Sequence, residues 1–162
     1  MTPESFETLY KTTERALFNC LFRWVWNREE AIDLVQEAFI KLWERRSRID
    51  EKGAKAYLFR TAMNLASKRN QWQKRWHMVA LNQVKLFSID FETLFFKKEE
   101  ESLLRTLIKQ LPEKNRQVLI LVRFSDLSYS EIAGLLNIPS GTVASRYHTA
   151  LKKLREDLEV NS

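Results

Sequence analysis

The chain is expected to be all-α: two small helical domains joined by a linker, the second a helix-turn-helix of winged-helix-like outline without a sheet. Three observations lead there. The 162 residues include only 3 Gly and 3 Pro, whereas a sheet protein needs many turns built on Gly, Pro, Asn and Asp. Apolar residues recur at spacings of three and four, the period of a helix with one buried face. No run alternates convincingly at period two, the mark of a half-buried strand. With 44% hydrophobic and 30% charged residues the composition is globular, not disordered.

The first helix starts after Thr2-Pro3, where Pro is tolerated in a first turn and Glu4 and Glu7 suit the positive end of the helix dipole. Phe6, Leu9, Tyr10, Thr13, Leu17, Cys20, Leu21 and Trp24 form its inner row. Asn27 and the charged Arg28-Glu29-Glu30 read as a connection. A second helix carries Ala31, Leu34, Val35, Ala38, Phe39, Leu42 and Trp43, and ends near Arg45-Arg46. Ser47–Lys55 is polar and contains Gly53, so it reads as a loop. A third helix runs from about Ala54 through Trp72, with Leu58, Ala62, Leu65 and Ala66 inside.

Residues 77–101, the linker between domains 1–76 and 102–162, lack sustained periodicity until their acidic end, and His77–Phe91 reads as the connection itself, with room for a short helical turn. Phe87, Phe91, Phe95 and Phe96 are unusual in a tether, and part of the segment is expected to pack on a domain or a partner. Beyond it, Leu103, Leu104, Leu107, Ile108 and Leu111 form a helix stopped by Pro112. Another helix runs from Glu113 or Asn115 to Phe124, followed by Ser130–Leu136 and Ser140–Glu159.

The net charge of +6 is unevenly spread. Residues 1–76 hold 15 basic and 10 acidic side chains, residues 77–101 hold 3 and 5, and residues 102–162 hold 9 and 6. From Arg60 to Trp76 there are five cations and no acid. A clustered cationic strip attracts a polyanion, whereas scattered charges stay solvated.

The richest pattern is LSYSEIAGLLNIPSGTVASRYHTALKK, residues 127–153. Ser128 or Ser130 can cap a helix with Glu131 in its first turn, and Ile132, Ala133 and Leu136 form its apolar stripe. Asn137-Ile138-Pro139 makes a turn, with Ile138 as an apolar plug and Ser140 capping the next helix. There Val143, Tyr147, Ala150, Leu151, Leu154 and Leu158 are expected inside. Thr142, Ser145, Arg146, Thr149 and Lys153 lie opposite, flanked by Ala144, His148 and Lys152. A small polar N-terminal half can enter a major groove and a cationic C-terminal half can reach phosphate, so this pair of helices reads as DNA-binding.

Two further patterns lie in the first domain. Asp33, Gln36, Glu37 and Ile40 share one face of the second helix, bordered by Phe39 and Trp43. That is either a solvated acidic face or a protein-binding face. The strip from Asn64 to Trp76 interleaves Lys68, Arg69, Lys74 and Arg75 with Trp72 and Trp76. Trp faces stack on unpaired bases while cations track phosphates. The bland reading packs both Trp on the core, and at least one is expected to be partly core.

The whole chain resembles a bacterial RNA polymerase sigma factor of the extracytoplasmic-function group of the sigma-70 family. The resemblance is carried by Asp33-Leu34-Val35-Gln36-Glu37-Ala38-Phe39-Ile40-Lys41-Leu42-Trp43, by Ala56-Tyr57-Leu58-Phe59-Arg60-Thr61-Ala62-Met63-Asn64, by Leu111-Pro112-Glu113 and Arg116-Gln117-Val118, and by the helix-turn-helix. It implies that Asp33, Gln36, Glu37, Phe39 and Trp43 dock on the clamp coiled coil of core RNA polymerase. It implies that Asn64, Lys68, Arg69, Trp72, Lys74, Arg75 and Trp76 capture the single strand of the minus-ten promoter element. It assigns Thr142, Ala144, Ser145, Arg146, His148 and Thr149 to the minus-thirty-five element in duplex form. An anti-sigma factor, often membrane-anchored, is an expected partner, and the linker is expected near the polymerase's RNA exit path. Ile32, Tyr57 and Ala144 depart from the family pattern, which often has Glu, Trp and a cation there. Ala144 offers neither a phosphate contact nor a base hydrogen bond, which shifts weight to Arg146, His148 or the first domain.

Energetics fit the division of labour: opening a duplex costs about 1.4 kcal/mol per base step, and stacking unpaired bases on aromatics returns about 1–3 kcal/mol each. The leading rival is a helix-turn-helix regulator that binds DNA without joining polymerase. An enzyme is not expected, because no converging catalytic set can be assembled: His77 and His148 lie in different domains, and Cys20 sits on an apolar face. Neither metal nor cofactor is expected, since no Cys/His ligand spacing and no Gly-rich phosphate loop occur. A single Cys fits a reducing compartment. Without a membrane-length apolar run or a signal-peptide pattern, the protein is expected in the cytoplasm.

Overall fold

Helices close on one another in two groups that meet along a seam, in a computed structural model that describes residues 1–76 and 98–160 and the side chains of residues 1–69 and 102–160. They are α1 (Pro3–Val25), α2 (Arg28–Glu44), α3 (Glu51–Trp76), α4 (Lys98–Gln110), α5 (Glu113–Phe124), α6 (Tyr129–Leu136) and α7 (Ser140–Val160). No strand occurs among the described residues, in keeping with the all-α expectation.

Local chemistry sets most of the helix ends. Thr2 Oγ1 accepts from the Ser5 N–H at 3.1 Å and Ser5 Oγ accepts from the Thr2 N–H at 2.9 Å, a reciprocal cap with Pro3 in the first turn. At α2, Asn27 Oδ1 accepts from the Glu30 N–H at 2.9 Å, so Arg28-Glu29-Glu30 form the first helical turn and not a connection. The two acids there also favour the helix dipole. The loop expected over Ser47–Lys55 is shorter than its composition implied, because Asp50 Oδ1 takes the Gly53 N–H at 2.7 Å and α3 begins at Glu51. A Cβ at Gly53 would come within 2.8 Å of the same oxygen, so a larger residue there would require the Asp50 side chain to shift. At its other end α3 continues to Trp76, beyond the expected Trp72. α4 starts at Lys98, so the end expected for the linker is already helical. Phe87, Phe91, Phe95 and Phe96 lie outside the described residues.

In the first group α1, α2 and α3 pack on one another, with Leu17, Leu21, Leu34, Leu42, Leu58 and Phe59 fully buried. In the second, α5, α6 and α7 pack together and α4 lies on α7, around Val118, Ile120, Leu121, Ile132 and Val143. Each such side chain contributes about 1.5–3 kcal/mol on leaving water. Two inward expectations fail: Tyr10 is 36% exposed on α1, and Leu158 is 39% exposed near the end of α7, a turn past the last buried position, Leu154. Along the seam α1 meets α5 and α3 meets α6, so the buried residues form one continuous core.

Candidate nucleic-acid interface

On α2 the polar stripe faces out. Asp33 and Gln36 are exposed, Glu37 is half-buried, and Ile40 is 57% exposed beside them. Leu34, Val35, Ala38 and Leu42 hold the opposite face in the core. An outward apolar residue among fixed polar ones suits a protein contact. Phe39 departs from its expected place on that face. It is 4% exposed, with its ring 5.9 Å edge-on to Phe6 and 4.7 Å from Tyr10. The helical turn that puts Asp33, Gln36 and Ile40 outside puts residue 39 inside. Phe39 therefore supports the face from beneath. Trp43 is half-buried, its ring 4.9 Å from Phe6 and covered by the Arg46 guanidinium at 4.0 Å.

On α3, Asn64 and Lys68 are exposed one turn apart, and the helical backbone puts positions 72 and 76 in the same row. The side chains of Trp72, Lys74, Arg75 and Trp76 lie outside the described residues. Arg69 is half-buried, and its Nη2 meets Glu37 Oε2 at 2.9 Å. Thus the α2 stripe and the α3 cationic strip are adjacent, joined by one ion pair across 32 residues of sequence. Sequence periodicity within single helices had no means of showing this pairing.

The helix-turn-helix is built from caps. Ser128 Oγ accepts from the Glu131 N–H at 3.1 Å and Glu131 Oε1 accepts from the Ser128 N–H at 3.1 Å, so Ser128 is the cap. Asn137 ends α6 in the left-handed region at φ 57°, ψ 47°, a conformation Asn tolerates. The Pro139 carbonyl accepts from the Thr142 and Val143 N–H groups at 3.0 and 3.2 Å. Ser140 is therefore the first residue of α7 and not its cap. On α7, Ser145, His148 and Thr149 are exposed and Thr142, Ala144 and Arg146 are half-buried. Val143, Ala150 and Leu154 anchor the other side. Tyr147 packs against the Tyr129 ring at 6.3 Å, which fixes α7 across α6. The result is a rigid rod with small polar groups outward at its start, the shape a major groove admits.

Arg23 was not singled out from sequence, and Arg60 was named there only within the cationic strip and a family motif. Arg23 is only 6% exposed, with its guanidinium 5.4 Å from the Trp26 ring and 4.7 Å from the Phe124 ring. Arg60 donates from Nε to the Leu135 carbonyl at 3.2 Å and from Nη2 to the Gly134 carbonyl at 3.4 Å. A cation inside the aromatic run Phe22-Arg23-Trp24-Val25-Trp26 was the one available signal. Cys20 is buried, and burial pushes its thiol well above the usual range, so it is no nucleophile. Among the described residues no group of three or more His, Cys, Asp or Glu could hold a metal ion. No described helix is long and apolar enough to cross a membrane.

Comparison with known proteins agrees with this geometry. Residues 9–76 match the family described as Sigma-70 region 2, and residues 101–154 that described as Sigma-70, region 4. The chain is 33% identical to an "RNA polymerase sigma-E factor" of Streptomyces avermitilis over 157 residues, covering 95% of this chain and 85% of that protein. It is 27% identical to the "ECF RNA polymerase sigma factor SigW" of Bacillus subtilis, covering 96% of this chain and 89% of that one. Among solved structures, CnrH in complex with the cytosolic domain of CnrY has the same fold at a TM-score of 0.76 and 19% identity, covering 99% of this chain and 92% of that one. The sigma factor RpoE of Bartonella quintana, in complex with the anti-sigma factor NepR, gives 0.73 and 21%, covering 98% and 99%.

Proposed function

The chain belongs to the sigma-70 family of RNA polymerase sigma factors, in its extracytoplasmic-function group, and we propose from this premise how its surfaces divide the work. As a sigma factor it binds core RNA polymerase and promoter DNA and directs transcription initiation. Residues 1–76 form the part that docks on polymerase and holds the minus-ten element. Residues 102–162 form the part that reads the minus-thirty-five element, with 77–101 connecting them. Asp33, Gln36, Glu37 and Trp43 carry the polymerase contact, with Ile40 added and Phe39 as their support. Asn64, Lys68, Arg69, Trp72, Lys74, Arg75 and Trp76 take the opened strand. Thr142, Ala144, Ser145, Arg146, His148 and Thr149 meet the duplex. The observation that carries the reading is the pair of outward faces on one chain: a polar stripe with exposed Ile40 on α2, and the small polar start of α7.

The role is one of binding and positioning, with bond formation left to polymerase, and its place is where the chromosome is, in the cytoplasm. The solved structures of similar fold, one complexed with the anti-sigma factor NepR and one with the cytosolic domain of CnrY, favour an anti-sigma factor as a further partner. Run-off transcription with core polymerase on a genomic promoter library tests the whole reading. The wild type should initiate from a discrete set of promoters, and changing Asp33, Gln36 and Glu37 together to Ala should abolish polymerase binding and transcripts. A wild type that yields none from any promoter would overturn it.

A further inference from the structure

Where α4 and α5 meet the end of α1, positive charge collects that none of the surfaces assigned above uses. Arg105 and Lys109 stand one turn apart on α4, and Arg116 lies near the start of α5. The Arg116 guanidinium covers the Trp24 ring at 4.5 Å, and that of Arg105 lies 5.9 Å from the Trp26 ring. Lys109 is exposed, yet the loss of part of its hydration and then the charges of Arg105 and Arg116 push its ammonium below the usual range. The three cations are therefore near enough to repel one another. Burial works against the charge of Arg116 as well, and Glu113 offsets only part of that. Among the described residues no carboxylate forms an ion pair with Arg105, Lys109 or Arg116.

Hydrogen-bond donors are in surplus at the same junction. Trp24 Nε1, Trp26 Nε1 and Arg116 Nε are buried and find no acceptor among the described residues. A buried donor without an acceptor loses its hydration with nothing in return, and native structures hold few of them. What is missing is acceptor oxygen and negative charge, the two things an oxyanion carries. The indole rings limit its shape. Trp24 is 2% and Trp26 4% exposed, so no flat guest can stack on them, and a compact anion gripped from the solvent side by Arg105 and Lys109 suits better.

The charge balance points to the kind of anion. Glu113 cancels one of the three positive charges. The helix ends nearby, α1 and α4 closing and α5 opening, take away about another half. What remains is roughly 1.5 positive charges, against about 1.5 to 2 negative charges on a phosphoryl group at neutral pH. A guanidinium fork takes two phosphate oxygens at once, and an ammonium adds a point charge.

We propose that Arg105, Lys109 and Arg116 form a binding site for a phosphoryl group, met either as free phosphate or pyrophosphate or as the phosphates of a nucleotide. Arg105 and Lys109 hold its outer oxygens, and Arg116 neutralises it from the half-buried side. The site goes beyond the polymerase and promoter assignments and rests on neither.

Isothermal titration of the full chain tests it, with pyrophosphate, inorganic phosphate and ADP as probes, at fixed ionic strength and without divalent metal. The wild type should bind pyrophosphate saturably at one site, and chloride at the same ionic strength should give no saturable heat. Arg105 and Lys109 are exposed, so Arg105→Gln/Lys109→Gln should fold, which unchanged circular dichroism verifies. That variant should bind pyrophosphate weaker by roughly tenfold or more, since each lost contact is charge-assisted. Arg116→Lys keeps the charge, loses the fork and should weaken binding less. Lys52→Gln removes an exposed cation of α3 and should change nothing, which separates a site from general attraction. ADP binding more tightly than pyrophosphate would identify a nucleotide as the source, and the reverse order a free anion; both uphold the site. Absence of saturable binding by all three probes would overturn it. So would equal affinity in wild type and Arg105→Gln/Lys109→Gln, or an equal loss in Lys52→Gln. Displacement of pyrophosphate by a short duplex of random sequence would make the cluster part of the DNA grip and overturn the proposal too. Since no arm involves polymerase, failure here leaves the sigma-factor reading standing.

Discussion

Two neighbours on α2 should respond to truncation in opposite ways. Phe39 is 4% exposed, with rings of Phe6 and Tyr10 against it, whereas Ile40 is 57% exposed. Replacing a buried Phe by Ala costs about 3–5 kcal/mol, and two lost aromatic pairs, each contributing about 0.5–1.5 kcal/mol, place Phe39→Ala toward the upper end. At about 2–4 °C per kcal/mol for a chain near this length, the midpoint of thermal unfolding should fall by roughly 10–20 °C. Ile40→Ala removes atoms already in water and should shift stability by no more than about 0.5 kcal/mol. Its loss should appear in polymerase affinity, where an apolar anchor is worth about 1–2 kcal/mol, or a factor of about 5–30. Thermal melts followed by circular dichroism and titration of labelled protein with core polymerase measure the two effects. At a temperature where Phe39→Ala remains folded, it should bind polymerase nearly as well as wild type. A Phe39→Ala protein that melts within 2 °C of wild type yet fails to bind polymerase would refute the inward placement, with 2 °C taken as roughly the smallest meaningful shift.

Three other expectations are narrower. Arg146→Ala should weaken binding to upstream-element duplex in a gel shift and lower the salt slope by about 1, while polymerase binding is unchanged; equal DNA affinity would remove Arg146 from the interface. A double-mutant cycle on Glu37 and Arg69 should show a coupling of about 0.2–1 kcal/mol, as half-exposed ion pairs do, fading toward zero near 1 M salt; a coupling indifferent to salt would speak against a solvent-screened pair. Ser128→Ala should cost about 0.5–2 kcal/mol in urea unfolding by removing the α6 cap, and an unchanged midpoint would mean the reciprocal cap is not made in solution.

Much of the fold could be read along the chain because it is local. The rows Leu17, Cys20, Leu21, Trp24 and Leu34, Val35, Ala38, Leu42 are buried as their spacing implies. The stop at Pro112 and the turn at Asn137-Ile138-Pro139 also fall where expected. The errors have local causes too. Gly53 and Arg28-Glu29-Glu30 resemble loop composition, and single side-chain caps from Asp50 and Asn27 turn both into helix starts. Periodicity gave Leu158 the same weight as Leu154, but among the described residues the core that buries Leu154 does not reach one turn further along α7.

Helix count, class, the outward stripe on α2 and the groove-fitting start of α7 follow from the sequence because each depends on neighbours within a turn or two, and the 3.6-residue period records them. The family follows from motifs for the same reason. What took three dimensions is every relation between helices. Glu37 with Arg69, Phe39 beneath Ile40, and Arg60 on the carbonyls of α6 join residues from 32 to 75 positions apart or depend on what covers a face. No period in the sequence encodes such pairs. The net charge of +6 shows the difference: its count predicted an anionic partner, but several of those cations, Arg23, Arg60 and Arg116, are engaged with rings or carbonyls of the chain itself.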